Sequence, residues 1–354
     1  MDMNRNGTHA IGLMSGTSLD GIDLVYVYFP SQREDEFEII ASQTIDYSPE
    51  WKLKLKTAID LNEKALIELD AAYGRFLGEQ INKFIHQHEI QTIDFIASHG
   101  HTIFHQPEKG ITKQIGNGQY IADATNFLVV CDFRTQDVQL GGQGAPLVPI
   151  GDRILFSNYD ACVNLGGFAN ISYEQGSNRI AFDICPVNVV LNHYSQKLGY
   201  EYDNGGILAS QGKVNTKILS ELNSMAYYEK SPPKSLGIEW VNDKIFPVVE
   251  TLKDHRDVLR TFVEHVTVQI ANSIGQFQKV LFTGGGVFNE FLIENLKRKV
   301  NAEIAIPSKT IVDYKEALIF ALLGKLRLEE KSNCLSSVTG AKRDHSSGQI
   351  FRPN

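Results

Sequence analysis

Cysteine is scarce in this chain: four in 354 residues, at positions 131, 162, 185 and 334, widely spaced and with no CxxC pair. That pattern excludes a disulfide scaffold and a zinc-ribbon framework, and it reads as buried thiols in a reducing compartment. Basic residues are outnumbered, 34 Lys and Arg against 42 Asp and Glu, which leaves a net charge of −8. A surface of that sign is a poor partner for nucleic-acid phosphates. No apolar run approaches the ~20 residues of a membrane span, and the polar residues 1–9 lack the apolar stretch of a secretory signal. Two nucleotide signatures are also missing. Without GxxxxGK[ST] there is no P-loop, and without GxGxxG after a strand a dinucleotide-binding Rossmann domain is disfavoured. What remains is an ordinary globular composition, 42% hydrophobic and 21% charged, at a length suited to about two domains. The expectation is a soluble, cytoplasmic, two-domain protein.

The chain contains one pattern twice. Residues 9–14, 21–29 and 37–45 read as three strands, with Ser15-Gly16-Thr17-Ser18 between the first two. A helical stretch follows over 58–88, and then a strand over 93–97. Around residue 160 the order returns: strands over 161–165, 168–173 and 179–184, with Gly166-Gly167 at the first turn and a helix opening at Pro186. Later come a strand over 279–282 ending in Gly284-Gly285-Gly286, a helix over 289–300, a strand over 302–306 and an amphipathic helix over 314–328. The links within each strand trio are too short for parallel crossovers, so each trio is expected to be an antiparallel meander inside a mixed sheet. The fold expected is α/β, built from two duplicated domains of mixed sheets flanked by helices, with a ligand cleft between them. Their expected bounds are 1–137 and 138–330, with a tail, 331–354, that packs back on the first domain and is irregular and superficial over 336–354.

Three glycine turns at strand ends are more specific than one, which alone would be a tight turn. Glycine lets backbone N–H groups approach a phosphate, and Ser15, Thr17 and Ser18 add hydroxyl donors. Together they read as a nucleotide site. Asp183, at the end of a strand, is either a base in a cleft or the cap of the helix behind it. His99, His101 and His105 invite a zinc reading, but no neighbouring Cys or further His completes a set. Trp51 and Trp240 read as core or surface aromatics.

Motifs along the chain resemble one family. They are Gly12-Leu13-Met14-Ser15-Gly16-Thr17-Ser18-Leu19-Asp20-Gly21-Ile22-Asp23, Ser98-His99-Gly100-His101-Thr102-Ile103, Gln114-Ile115-Gly116, Asp132-Phe133-Arg134, Gly141-Gly142-Gln143-Gly144-Ala145-Pro146-Leu147, Asn164-Leu165-Gly166-Gly167, Ala181-Phe182-Asp183, Asp203-Asn204-Gly205-Gly206 and Pro232-Pro233-Lys234-Ser235. They resemble, in order from residue 10 to about 330, the anhydro-N-acetylmuramic acid kinases of the actin, sugar-kinase and heat-shock-ATPase superfamily. The resemblance implies actin-like (ribonuclease H-like) domains, ATP and Mg²⁺ as cofactors, a homodimer, and a double reaction in cell-wall recycling. Water opens the 1,6-anhydro bond of 1,6-anhydro-N-acetylmuramic acid at C1 while ATP phosphorylates O6, giving N-acetylmuramic acid 6-phosphate and ADP.

The resemblance also assigns roles. It moves Asp183 toward the base. Gly16, Thr17, Ser18, Leu19, Asp20, Gly21, Ile22 and Asp23 are expected around the terminal phosphates, Gly166 and Gly167 at a second phosphate turn, and Gly284, Gly285 and Gly286 against the adenosine. Many superfamily members carry a metal-holding Asp on the first strand. Here that place is Gly12, which leaves Asp20, oriented toward Mg²⁺ through water, or Asp23 as the substitute. A solvated hairpin turn is the other reading of both. Arg134 is expected to fork onto the lactyl carboxylate, its bland alternative being a surface salt bridge. His99 is expected beside the sugar. Glu316 is expected to contact the sugar, its alternative being a favourable charge at a helix N-terminus. Two other functions compete: a plain sugar kinase, which incorporates no water, and an ATP-driven conformational switch, which would want a peptide-binding domain or assembly insertions.

Overall fold

The computed structural model describes residues 7–16, 19 and 21–354. Contacts divide the chain into two units, Met1–Leu155 with Tyr314–Asn354, and Phe156–Asp313. In the first unit the strands are β1 (Gly7–Ser15), β2 (Gly21–Pro30), β3 (Glu38–Asp46), β4 (Phe95–Ser98), the hairpin of β5 (His101–Gln106) and β6 (Ile111–Ile115), and β7 (Val129–Cys131). The second unit holds β8 (Ala161–Leu165), β9 (Phe168–Gln175), β10 (Asn178–Pro186), β11 (Lys279–Thr283) and β12 (Glu303–Ala305), and β13 (Gln349–Phe351) returns to the first.

The two main sheets run β13-β7-β4-β1-β2-β3 and β10-β9-β8-β11-β12. In each, three consecutive strands form an antiparallel meander. Two further strands then add in parallel on the other side of the first strand: β4 and β7 in one unit, β11 and β12 in the other. Short polar turns allow only antiparallel return, whereas the parallel additions follow helical crossovers. The result is the duplicated mixed-sheet α/β fold that the repeated pattern implies.

Helices cover the sheets by burying one stripe each. In Glu63–Gln87 the buried Leu69, Tyr73, Leu77, Ile81 and Phe84 recur at three- and four-residue spacing. That helix starts later than the expected residue 58, because Asn62 takes the Ala65 N–H and caps it. In His255–Ile274 the stripe includes Leu259, Phe262, Val266 and Ile270, all fully buried.

Several boundaries differ from the sequence reading. The first unit extends to Leu155 rather than 137, because Asp137 and Asp152 find their partners inside it; Asp152 forms a buried ion pair with Lys315 at 2.6 Å. The last long helix is Lys309–Leu328, so the division at 313/314 falls within it. Pro186 closes β10 rather than opening a helix, and the helix behind it is Asn188–Lys197. The tail over 336–354 is not an irregular surface segment. It holds a short helix, Ser336–Thr339, and β13 pairs antiparallel with β7. Thr339, His345 and Ser347 of this segment are buried. Among the described residues no helix is long and apolar enough to cross a membrane, and the four cysteines are buried and form no disulfide.

Candidate active site

In the first unit, β1 delivers the chain to the glycine loop. Its Gly12 has a packing reason: a Cβ there would lie 2.0 Å from the Ala317 carbonyl oxygen in the last long helix. A strand that presses this closely on a helix leaves no room at this position for an aspartate or any other side chain. Of the loop itself, Gly16 accepts the Leu19 N–H, and Leu19 has φ +60°; Thr17, Ser18 and Asp20 lie outside the described residues. Gly21 and Ile22 begin β2, and Ile22 is wholly buried in the core. Asp23 stands on β2, not in a solvated turn, and its carboxylate accepts the Thr44 hydroxyl at 2.6 Å.

β4 ends at Ser98 and places His99 in the turn before β5. The imidazole is buried, its Nδ1–H donates to the Gly100 carbonyl, and its Nε2 accepts from the Arg134 guanidinium at 2.9 and 3.0 Å. The donors fix the tautomer, because a carbonyl can only accept and an arginine can only donate. Burial, reinforced by the Arg134 charge, holds the His99 pKa well below the usual histidine value. A third Arg134 nitrogen donates to the Gly144 carbonyl at 2.6 Å. Burial lowers the Arg134 pKa and the Glu316 carboxylate opposes that shift. Glu316 lies two turns inside its helix, so it is not a terminal dipole charge. Solvent reaches it, yet the atoms packed around it raise its pKa; Lys315 and Arg134 counter that shift and Asp23 adds to it. His99, Arg134, Glu316 and Asp23 therefore form one polar group in the first unit.

The three histidines do not share a face. His101 on β5 pairs through Nδ1 with the buried Ser15 hydroxyl at 3.1 Å, and burial takes its pKa down to about 4. His105 is exposed beside Thr112. Sequence reasoning missed the Ser15 surroundings: Tyr47 and Tyr73 both hydrogen-bond its hydroxyl, at 2.6 and 2.9 Å. Tyr73 sits at core helical spacing and gave no separate signal. A cavity of about 150 Å³ in this unit is lined by His99, Asp70, Lys113, Gly116 and Asp132 among others. It is below the size of small-molecule pockets, which start near roughly 300 Å³.

In the second unit, β8 and β11 are parallel neighbours and end together. Gly166-Gly167 turns β8 into β9, and its two carbonyls accept the Val187, Asn188 and Val189 N–H groups at the start of the next helix. Gly284 has φ +82°, and a Cβ there would meet Asn164 and Leu165 at 2.6–2.9 Å. Gly285 faces open space, with nothing within 4 Å of an added Cβ. Beside it the Thr283 hydroxyl is buried and without a hydrogen-bond partner.

Asp183 lies within β10, not at its end, and the β9 register shifts between Asp183 and Cys185. Such a bulge re-aims a strand side chain. The cap reading of Asp183 fails: the helix N-cap is Val187, with no side-chain bond, and Asp183 Oδ2 instead accepts the Leu236 N–H at 2.8 Å. Tyr227 donates its hydroxyl to the Asp183 carbonyl at 2.6 Å. Burial raises the Asp183 carboxyl above the ordinary aspartate value, and the Leu236 bond opposes this only in part. Nearby, the Lys234 ammonium stands over the Phe182 and Tyr227 rings. The Pro232-Pro233-Lys234-Ser235 motif was the signal for this bracing segment, but its partner is fifty residues away in sequence.

The family model described as anhydro-N-acetylmuramic acid kinase matches residues 8–353. Relatives with that name are 33% identical in Mannheimia succiniciproducens (96% of this chain, 98% of the relative), 33% in Haemophilus influenzae (99% of each) and 34% in Vibrio cholerae (97% and 98%). Among solved structures, component A of the (R)-2-hydroxyglutaryl-CoA dehydratase of Acidaminococcus fermentans is similar, with a TM-score of 0.47 at 12% identity over 89% of this chain and 96% of that one. By the near-complete span of the family match and the coverage of these relatives, the chain belongs to the anhydro-N-acetylmuramic acid kinase family.

Proposed function

We propose that this chain is an ATP-dependent kinase that opens 1,6-anhydro-N-acetylmuramic acid with water and phosphorylates O6, in recycling of cell-wall sugar. The observation that carries this reading is the family match over residues 8–353. Asp183 is the general base. It takes a proton from water as the water oxygen bonds to C1. The C1–O6 bond breaks, O6 bonds to the γ-phosphorus, and ADP leaves. One carboxylate suffices, because phosphoryl transfer captures the leaving oxygen. Desolvation of the Asp183 carboxyl supports this role, since a raised pKa makes a better base near neutral pH.

Arg134 forks onto the lactyl carboxylate, with neutral His99 holding the guanidinium in place and Glu316 meeting sugar hydroxyls. Gly16, Thr17, Ser18, Leu19 and the start of β2 cradle the terminal phosphates. Gly166 and Gly167 form the second phosphate turn, and Gly284, Gly285 and Gly286 lie against adenosine. ATP enters as its Mg²⁺ complex. The oxygen donors Asp20 and Asp23 suit that ion, and the Asp23 carboxylate, which adds to the rise of the Glu316 pKa, is negative charge of the kind a cation offsets. Four buried cysteines without a disulfide support a reducing cytoplasmic setting. A homodimer is the proposed assembly, checked by light scattering.

Reaction in ¹⁸O-water, followed by mass spectrometry, tests the chemistry. The label is expected on C1 of a ring-opened 6-phosphate. A phosphorylated product that keeps the anhydro ring would make the chain a plain sugar kinase, and ATP turnover without any sugar product would make it a conformational switch.

A further inference from the structure

The cysteine spacing hides a cluster that only the fold assembles. Asp137, Cys334 and His345 each present a ligand atom, all within 4.8 Å of one another. All three are buried, with relative exposures of 0%, 2% and 6%. Asp137 comes from the short helix Thr135–Gln139, which starts directly after Arg134. Cys334 and His345 face each other across a β-bridge, joined by backbone hydrogen bonds in both directions at 3.1 and 3.2 Å. Thiol and imidazole are thereby held side by side.

The imidazole gives the second observation. Its Nδ1–H donates to the Arg343 carbonyl at 3.1 Å. Its Nε2 is buried and has no hydrogen-bond partner, and it lies 3.5 Å from Asp137 Oδ1. In the neutral ring this sets a lone pair against a carboxylate oxygen, an arrangement that calls for a cation between them. A tetrahedral ion with N and O ligands at about 2.0–2.1 Å separates its donors by roughly 3.4 Å, close to the distance found. The carboxylate is braced as metal-ligating carboxylates are: Thr339 donates to Oδ1 and the Gly144 N–H to Oδ2, each at 2.7 Å. The charges also close, since one carboxylate, one thiolate and a neutral imidazole cancel a divalent ion. A donor set of S, N and O selects zinc over magnesium or calcium.

We propose that Asp137, Cys334 and His345 bind one Zn²⁺, with water as fourth ligand, and that the ion fastens the C-terminal tail to the segment carrying Arg134. The line of support is short: Asp137 holds the Gly144 N–H, and the Gly144 carbonyl holds the Arg134 guanidinium. The site is separate from the substrate chemistry and is read without activity.

Full-length protein, prepared under reducing conditions without chelator and with any tag removed, is analysed for metal after exhaustive dialysis. About one zinc per chain is expected. Cys334→Ser and His345→Gln should each lower the zinc content at least tenfold. Stripped wild-type protein titrated with Co²⁺ should gain a thiolate-to-cobalt charge-transfer band in the near ultraviolet, and Zn²⁺ should raise its melting temperature. The cobalt titration needs only wild-type protein, so it decides even where a variant fails to fold. Folded wild-type protein that shows no charge-transfer band and no melting response to Zn²⁺ would overturn the proposal, leaving His345 as a protonated partner of Asp137. Zinc retained undiminished by folded variants would also overturn it.

Discussion

Beside the central strand of each sheet stands a parallel neighbour, β4 in the first unit and β11 in the second, and their ends carry different chemistry. β4 runs into a buried neutral imidazole that accepts from Arg134, with Glu316 close enough to feel its charge. β11 runs into three glycines, of which Gly284 and Gly286 press against the end of β8 while Gly285 faces open space, and the same sheet carries the desolvated Asp183 on β10. A guanidinium held by a neutral group keeps its charge for an anionic ligand. Glycine backbone offers N–H groups and room, and a desolvated carboxylate offers basicity. One strand order carries a hydrogen-bonded guanidinium in one unit and glycine turns with a desolvated carboxyl in the other.

The sharpest break of this contrast is Asp183→Asn. Turnover should fall roughly 10²–10⁴-fold, as expected for loss of a general base, with ADP binding retained by calorimetry. In the parent protein the acid limb of kcat/KM should lie above the ordinary carboxylate value, with activity falling as pH drops through it. The same shift has a stability sign. The folded pKa is raised above the unfolded one, so the group's stabilising contribution is lost as pH rises through the folded value. Asp183→Asn should therefore melt no lower than the parent at pH 7, and a clear drop in melting temperature would count against desolvation.

Arg134→Ala tests the first unit. Loss of hydrogen bonds to a charged partner is worth about 1.5–3 kcal/mol, so the sugar KM should rise roughly ten- to hundredfold while the ATP KM stays put. Equal effects on both substrates would move Arg134 out of sugar recognition. The glycines then separate packing from access. Gly12→Ala drives a methyl into the Ala317 carbonyl and should cost about 1–3 kcal/mol in denaturant unfolding. Gly285→Ala meets nothing within 4 Å; its stability should stay within about 0.5 kcal/mol, while the ATP KM rises. A stable Gly12→Ala protein, or a Gly285→Ala protein with unchanged ATP kinetics, would remove the distinction.

Much of this was legible in the sequence because it is local. The strand trios announce themselves by short polar turns, and the glycine turns by composition. The rest was hidden by distance along the chain. Nothing near Asp183 announces that Leu236 takes its carboxylate, so the capping reading stayed open until the helix start at Asn188 closed it. His99 and His101 look alike on paper, but His99 stands in the turn and His101 on β5, and their partners come from elsewhere, Arg134 from the start of a short helix and Ser15 from β1. The tail reads as polar and therefore superficial. Its polar groups are instead consumed internally, as when the Thr339 hydroxyl donates to the Asp137 carboxylate and the Ser347 hydroxyl to the Phe133 carbonyl.

That tail gives the two units different histories during synthesis. The second unit, Phe156–Asp313, is one unbroken stretch and can fold once it has left the ribosome. The first begins earlier, but its main sheet lacks its sixth strand until Phe351 is made, and β7 waits as an uncovered sheet edge while residues 132–348 are added. The part of the chain that emerges first is therefore the part completed last.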